Sequence, residues 1–198
     1  RRTNLILFGY PGSGRATQAA LLAKELHLTV ISTGGLLNEE RVSGSATGRE
    51  LNRYLENGLL VPDEIVIRLI EKKLEQESAN NRGYIFKGYP RTLVQAYILD
   101  GLLRKQRTSI TAVVNLDVPQ LELVRRLDAR SRTEAKMPYD SSAATIVNRL
   151  EEHQVRTLPV LDYYAGQVPV VEANGTGSPA EVFQNLVSPV KKAMLGLK

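Results

Sequence analysis

A glycine-rich turn constrains this chain most. Gly9-Tyr10-Pro11-Gly12-Ser13-Gly14-Arg15-Ala16-Thr17-Gln18 stands between an apolar run, Leu5-Ile6-Leu7-Phe8, and an Ala/Leu-rich helical pattern from Ala16 to Leu26. Strand, glycine-rich turn and helix in that order form a cradle for an anion. Glycine lets the backbone approach the ligand closely, and the helix start turns free N–H groups and the positive dipole end toward it. Arg15 occupies the position where such a loop usually carries a lysine that reaches the β- and γ-phosphates, and Thr17 follows two residues later with a hydroxyl in reach of the same ligand. The competing reading is a turn that serves only packing. The density of glycine in so short a stretch favours the cradle, with Gly9, Gly12, Ser13, Gly14, Arg15, Ala16 and Thr17 as its residues.

The rest of the sequence repeats strand and helix in alternation. Apolar, β-branched runs at Asn4–Phe8, Thr29–Ser32, Tyr84–Lys87, Thr111–Leu116 and Pro169–Glu172 predict five strands buried on both faces, as in a parallel sheet covered by helices. Helical periodicity predicts helices near 16–26, 36–42, 49–57, 63–77, 94–104, 120–129, 143–164 and 179–194. Thr47-x-x-Glu50 reads as a capping box, Gly58 as a helix stop, and Pro62 and Pro119 as helix starts. The expectation is one α/β domain over residues 1–198. Ligands in such a sheet sit beyond the carboxyl ends of the strands, where the loops after Phe8, Ser32, Lys87 and Leu116 converge.

Composition narrows the chemistry by exclusion. The 198 residues include no cysteine and only two histidines, His27 and His153, so disulfides, thiolate metal sites and histidine metal clusters are out, and no metal-ligating residue is assigned. The net charge of +5 comes from scattered Lys and Arg without a basic block or interleaved aromatics, which speaks for a small anionic ligand over nucleic acid. No apolar run reaches membrane-spanning length and no signal-peptide pattern opens the sequence, so a cytoplasmic location and no membrane partner are expected.

Arginine supplies the remaining signal. Arg126 and Arg130 are four apart on one helical face, Arg149 lies on the next helix, and Arg91 follows Gly88-Tyr89-Pro90 directly after the third strand. Taken singly, each is more often a solvated residue than a ligand. Together, ringing a phosphate cradle, they suit phosphoryl transfer, which depends on positive charge and alignment. Two segments interrupt the alternation: a helical excursion at 34–60 and a polar loop at 130–142 flanked by arginines. A flap and a lid over the cradle are expected there.

Along nearly its whole length the sequence resembles the adenylate kinase family of the short-lid type. The matching motifs are Gly-x-Pro-Gly-Ser-Gly at 9–14, Ser32-Thr33-Gly34, Val61-Pro62-Asp63-Glu64, Gly88-Tyr89-Pro90-Arg91-Thr92-Leu93-Val94-Gln95, Leu116-Asp117-Val118-Pro119, Leu161-Asp162-Tyr163-Tyr164 and Gly175-Thr176-Gly177. The resemblance implies a P-loop NTPase-like five-stranded parallel sheet with a helical nucleoside-monophosphate flap at 34–60 and a short lid at 130–142. It also implies ATP and AMP as substrates or ligands, with Gly12–Thr17 at the donor triphosphate. Thr33, Gly34, Arg91 and Gln95 would then hold the acceptor. Arg126, Arg130 and Arg149 would clamp the transferring group, and Asp140 would stand for one of two lid aspartates.

Departures from the family pattern fall on chemistry. The loop lysine is Arg15, and the aspartate that organises the waters of Mg²⁺ is Lys87. The acid after Ser-Thr-Gly is Gly35, the arginine that grips the acceptor phosphate is Asn38, the lid arginine is Pro138, and the second lid aspartate is Ser141. Replacing a carboxylate by Lys87 changes the local charge by two units, so weak dependence on Mg²⁺ is expected. Two function classes stay open: a working adenylate kinase, or a kinase-like pseudoenzyme whose role is binding or interaction. A monomer is expected for either, with a protein partner open for the second.

Overall fold

In the computed structural model, residues 2–57, 61–77, 82–133 and 143–196 are described. Among them are five strands, β1 (Thr3–Gly9), β2 (Thr29–Ser32), β3 (Gly83–Lys87), β4 (Ala112–Asp117) and β5 (Val170–Asn174). Eight helices lie between and after them: α1 (Arg15–Leu26), α2 (Thr33–Val42), α3 (Ala46–Glu56), α4 (Asp63–Gln76), α5 (Leu93–Lys105), α6 (Gln120–Ser131), α7 (Ala143–Ala165) and α8 (Pro179–Met194). The sheet is parallel throughout, in the order β2-β3-β1-β4-β5.

Alternation along β1 shows why the sheet is covered on both sides. Ile6 and Phe8 pack with Phe86, Val66, Ile70, Leu99 and Val160 under α4, α5 and α7. Leu5 and Leu7 pack with Ala19, Leu22, Leu186 and Val190 under α1 and α8. Each such side chain contributes about 1.5–3 kcal/mol when removed fully from water, which is why two-faced apolar strands dictate a two-sided sandwich. Smaller clusters join α6 to α7 through Leu123, Leu127, Ile146 and Leu150, and α3 to α4 through Leu51, Ile65 and Leu69.

Helix starts differ from the sequence expectation at two places. α2 begins at Thr33, not Leu36, because the Ser32 side chain caps it by accepting from the Gly35 N–H. α3 begins at Ala46: Ser45 Oγ accepts from Gly48 N at 2.9 Å, so the cap is Ser45, and Thr47 of the expected capping box lies inside the helix. Ser45 Oγ also donates to Glu40 at 2.7 Å, which ties α2 to α3. The helix stop expected at Gly58 lies outside the described residues.

The strand order places a topological switch between β1 and β3. The chain leaves β1 toward β2 on one side and leaves β3 toward β4 on the other, so the loops after these neighbouring strands part over a crevice.

Candidate functional site

The loop after β1 takes the form that the glycines allow. Gly12 and Gly14 have φ of 87° and 93°, left-handed values that favour glycine. α1 then starts at Arg15 with no side-chain cap and no acidic residue in its first turn, leaving its N–H groups and dipole for an external anion. Ser13 is 2% exposed and its hydroxyl has no hydrogen-bond partner, which is costly unless a ligand supplies one.

The loop after β3 is closed by its own side chains. Gln95, 5% exposed, accepts from the Arg91 N–H at 2.7 Å and donates to Asp63 Oδ1 at 2.9 Å. Thr92 caps α5 by accepting from the Gln95 N–H. The Gly88 carbonyl accepts from Thr33 Oγ1 at 3.1 Å and from Arg91 Nε at 2.9 Å, so the start of α2 and the loop share one acceptor. Tyr89-Pro90 is a cis peptide, and burial, then the charge of Asp63, raises the Tyr89 phenol well above its ordinary value.

Two cavities flank the glycine loop. The first, about 140 Å³, is lined by Pro11, Arg15, Arg91, Glu152, His153 and Arg156 among others, and opens at the β1–β3 switch point. Lys87 ends β3 opposite Leu7 and Ser32. Burial, then the charges of Arg15 and Arg91, hold its ammonium below the usual lysine range. The second cavity, about 470 Å³, is lined by Gly12, Ser13, Gly14, Thr17, Gln18, Arg126, Gly175 and Gly177 among others. There Arg126 donates to the Gly12 carbonyl at 3.1 Å and the Gly175 carbonyl at 2.9 Å, while Glu122 accepts from its Nε at 3.1 Å. Hydrogen bonds from Arg125 and then Arg126 hold the Glu122 carboxyl down to about 2. Gly175 is required by close approach, since a Cβ there would meet Val118 Cγ2 at 2.6 Å and Ser13 O at 3.3 Å.

The sequence-derived residues therefore divide. Arg15 and Arg91 meet at the first cavity with Lys87 against them; Arg126 stands on the second, stitching the glycine loop to the loop after β5. Gly9 lies beneath the loop, Ala16 and Thr17 are exposed on the first turn of α1, Gly34 is exposed on α2, and Arg130 is half-buried near the end of α6. Arg149 lies on α7 with its side chain outside the description. Asp140, Pro138, Ser141 and most of the 130–142 segment also lie outside the described residues. Sequence reasoning missed Arg156, His153, Glu152 and Asp63. The spacing 149, 153, 156 (i, i+4, i+7) was the available signal that three chemistry-bearing residues share one face of α7.

A phosphate-loop α/β sheet with an uncapped first helix and arginines at its carboxyl edge defines a class of protein. The comparisons give the family. A sequence model described as adenylate kinase matches residues 7–168. An adenylate kinase of Azobacteroides pseudotrichonymphae is 38% identical over 94% of this chain and 96% of its own length. Those of Leptospira biflexa and Thermus thermophilus are 37% and 36% identical, over 94% and 98% of this chain and 98% and 97% of their own lengths. The chain belongs to the adenylate kinase family. Among the described residues no helix is long and apolar enough to cross a membrane.

Proposed function

We propose that the chain binds adenine nucleotides, ATP and AMP, at the two loops described, and that the family's transfer between them, ATP + AMP to 2 ADP, is weak or lost. The uncapped start of α1 over a buried, unpartnered Ser13 hydroxyl carries the binding half of this reading. The donor triphosphate fits the N–H groups of residues 12–17, and Thr33, Gly34, Arg91 and Gln95 are the proposed acceptor residues. Arg126, Arg130 and Arg149 are the proposed clamp residues. Asp140 is the proposed lid contact, residues 130–142 the lid and 34–60 the flap. A monomer acting on nucleotides, without nucleic acid, is the proposed state, and the cytoplasm the proposed location.

The catalytic half turns on Lys87. Mg²⁺, which the family relation implies, does not fit the residues present. The β3 end beside the loop carries Lys87 against Arg15 and Arg91, cations where a metal with its waters would call for a carboxylate. Without preorganised countercharge and a template for the β- and γ-oxygens, phosphoryl transfer loses orders of magnitude in rate. A coupled assay for ADP from ATP and AMP, with calorimetric titration of each nucleotide, tests both halves. Binding of both nucleotides without any requirement for Mg²⁺, and turnover far below the range of roughly 1–100 per second typical of kinases, is the expected result. Turnover inside that range overturns the catalytic half; failure of both nucleotides to bind overturns the whole, leaving the kinase-like interaction module.

A further inference from the structure

The first cavity has a charge pattern that the family relation does not explain. Arg15 enters from α1, Arg91 from the loop after β3 and Arg156 from α7, three elements distant in sequence that line one space of about 140 Å³. Lys87 lies against the first two from the end of β3. Among the described lining residues the carboxylate is that of Glu152, one turn before Arg156 on α7. Like charges gathered in this way repel one another, and a multiply charged anion relieves that repulsion. A divalent cation arriving with the anion adds to it.

Resting on the nucleotide-binding reading above, we infer that this cavity selects the metal-free form of a polyphosphate: Lys87, Arg15, Arg91 and Arg156 neutralise the charge that a divalent ion would otherwise carry. The guanidiniums hold phosphate oxygens in planar, paired contacts, and the Lys87 ammonium serves as the compact point charge among them. The lowered proton affinity of Lys87 comes first from burial and then from Arg15 and Arg91, and an anion between them offsets the second of these causes. Arg156 is then a ligand-binding residue of α7 in addition to Arg149, the residue that the family resemblance assigned on that helix.

Calorimetric titration of the whole chain with ATP and with inorganic tripolyphosphate, each in EDTA and in excess Mg²⁺, tests the inference. Wild-type protein is expected to bind ATP about threefold or more tightly in EDTA than in Mg²⁺, and tripolyphosphate with the same preference. Lys87→Asp is expected to invert the order for ATP. Arg156→Gln, at an exposed position that folding tolerates, is expected to weaken metal-free ATP and tripolyphosphate by about tenfold and to narrow the gap between buffers. Should Lys87→Asp unfold, the Arg156→Gln titrations decide. Equal affinities in the two buffers, or tighter ATP binding with Mg²⁺, overturn the inference and leave nucleotide binding standing. Tripolyphosphate binding in EDTA without ATP binding keeps the inference and overturns the adenine-nucleotide reading. Absence of binding by either probe overturns both.

Discussion

The loops after β1 and β3 lie side by side in the sheet, each leading from a strand into a helix, and they are finished in opposite ways. At α5 the N-terminus is capped by Thr92, and Gln95 satisfies Arg91 N–H and Asp63 together. At α1 the N-cap is Gly14, no side chain caps it, and the Ser13 hydroxyl is buried without a partner. A helix start that satisfies its own donors contributes to stability. One that leaves them unmet gives up part of that stability and keeps its capacity for an anion. The same contrast extends to charge: Asp63 anchors the β3 side, whereas Arg15, Arg91 and Lys87 gather at the crevice between the loops.

The largest expected effect comes from restoring chemistry at the open loop. The combined variant Arg15→Lys, Lys87→Asp, Gly35→Asp and Asn38→Arg should raise ADP formation from ATP and AMP by about a hundredfold or more with Mg²⁺ present, whereas Arg15→Lys alone should change it little. A Cβ at Gly35 meets Ser32 Cβ at 3.6 Å, an ordinary contact, so the added aspartate fits the first turn of α2. A combined variant no faster than wild type would show that the impairment lies outside these positions.

Breaking the closed loop should be costly in stability. Gln95→Leu takes the acceptor from the Arg91 N–H and leaves the exposed Asp63 carboxylate to water, so the urea midpoint should fall by the equivalent of about 1 kcal/mol with the m-value unchanged. An unaltered midpoint would mean that water replaces the amide at both partners. The matching change at the open loop should go the other way: Ser13→Ala removes a desolvated, unpartnered hydroxyl and should leave stability equal or higher by up to about 1 kcal/mol while weakening nucleotide binding. A clear loss of stability in this variant would reveal that the hydroxyl serves the fold.

The smallest effect is the pH response of Lys87. Its ammonium is held below the ordinary value of 10.5 in the folded chain, first by burial and then by Arg15 and Arg91, both of which stay charged. Between the lowered value and 10.5 the unfolded state binds more protons, so wild-type stability should rise with pH across that window relative to Lys87→Met. For a half-exposed group the gain is on the order of a few tenths of a kcal/mol. Paired urea titrations at neutral and alkaline pH check it, and a fall of wild type relative to the variant would refute the sign.

Sequence alone determined the order of strands and helices, because two-faced apolar runs and helical periods are local signals that packing only reinforces. It also determined the phosphate loop, since Gly12 and Gly14 mark left-handed positions that other residues avoid. Helix starts were legible only in part: Ser32 and Ser45 outbid the expected positions because a cap is chosen by which hydroxyl meets a free N–H in three dimensions. The division of the arginines belonged to the tertiary structure entirely. Spacing put Arg126 on a helix face, but only folding brought its guanidinium onto the carbonyls of Gly12 and Gly175, residues 114 and 49 positions away. The meeting of Arg15, Arg91 and Arg156 is of the same kind. Charges act through distance in space, and the distance between α1, the β3 loop and α7 is set by the sheet that carries them.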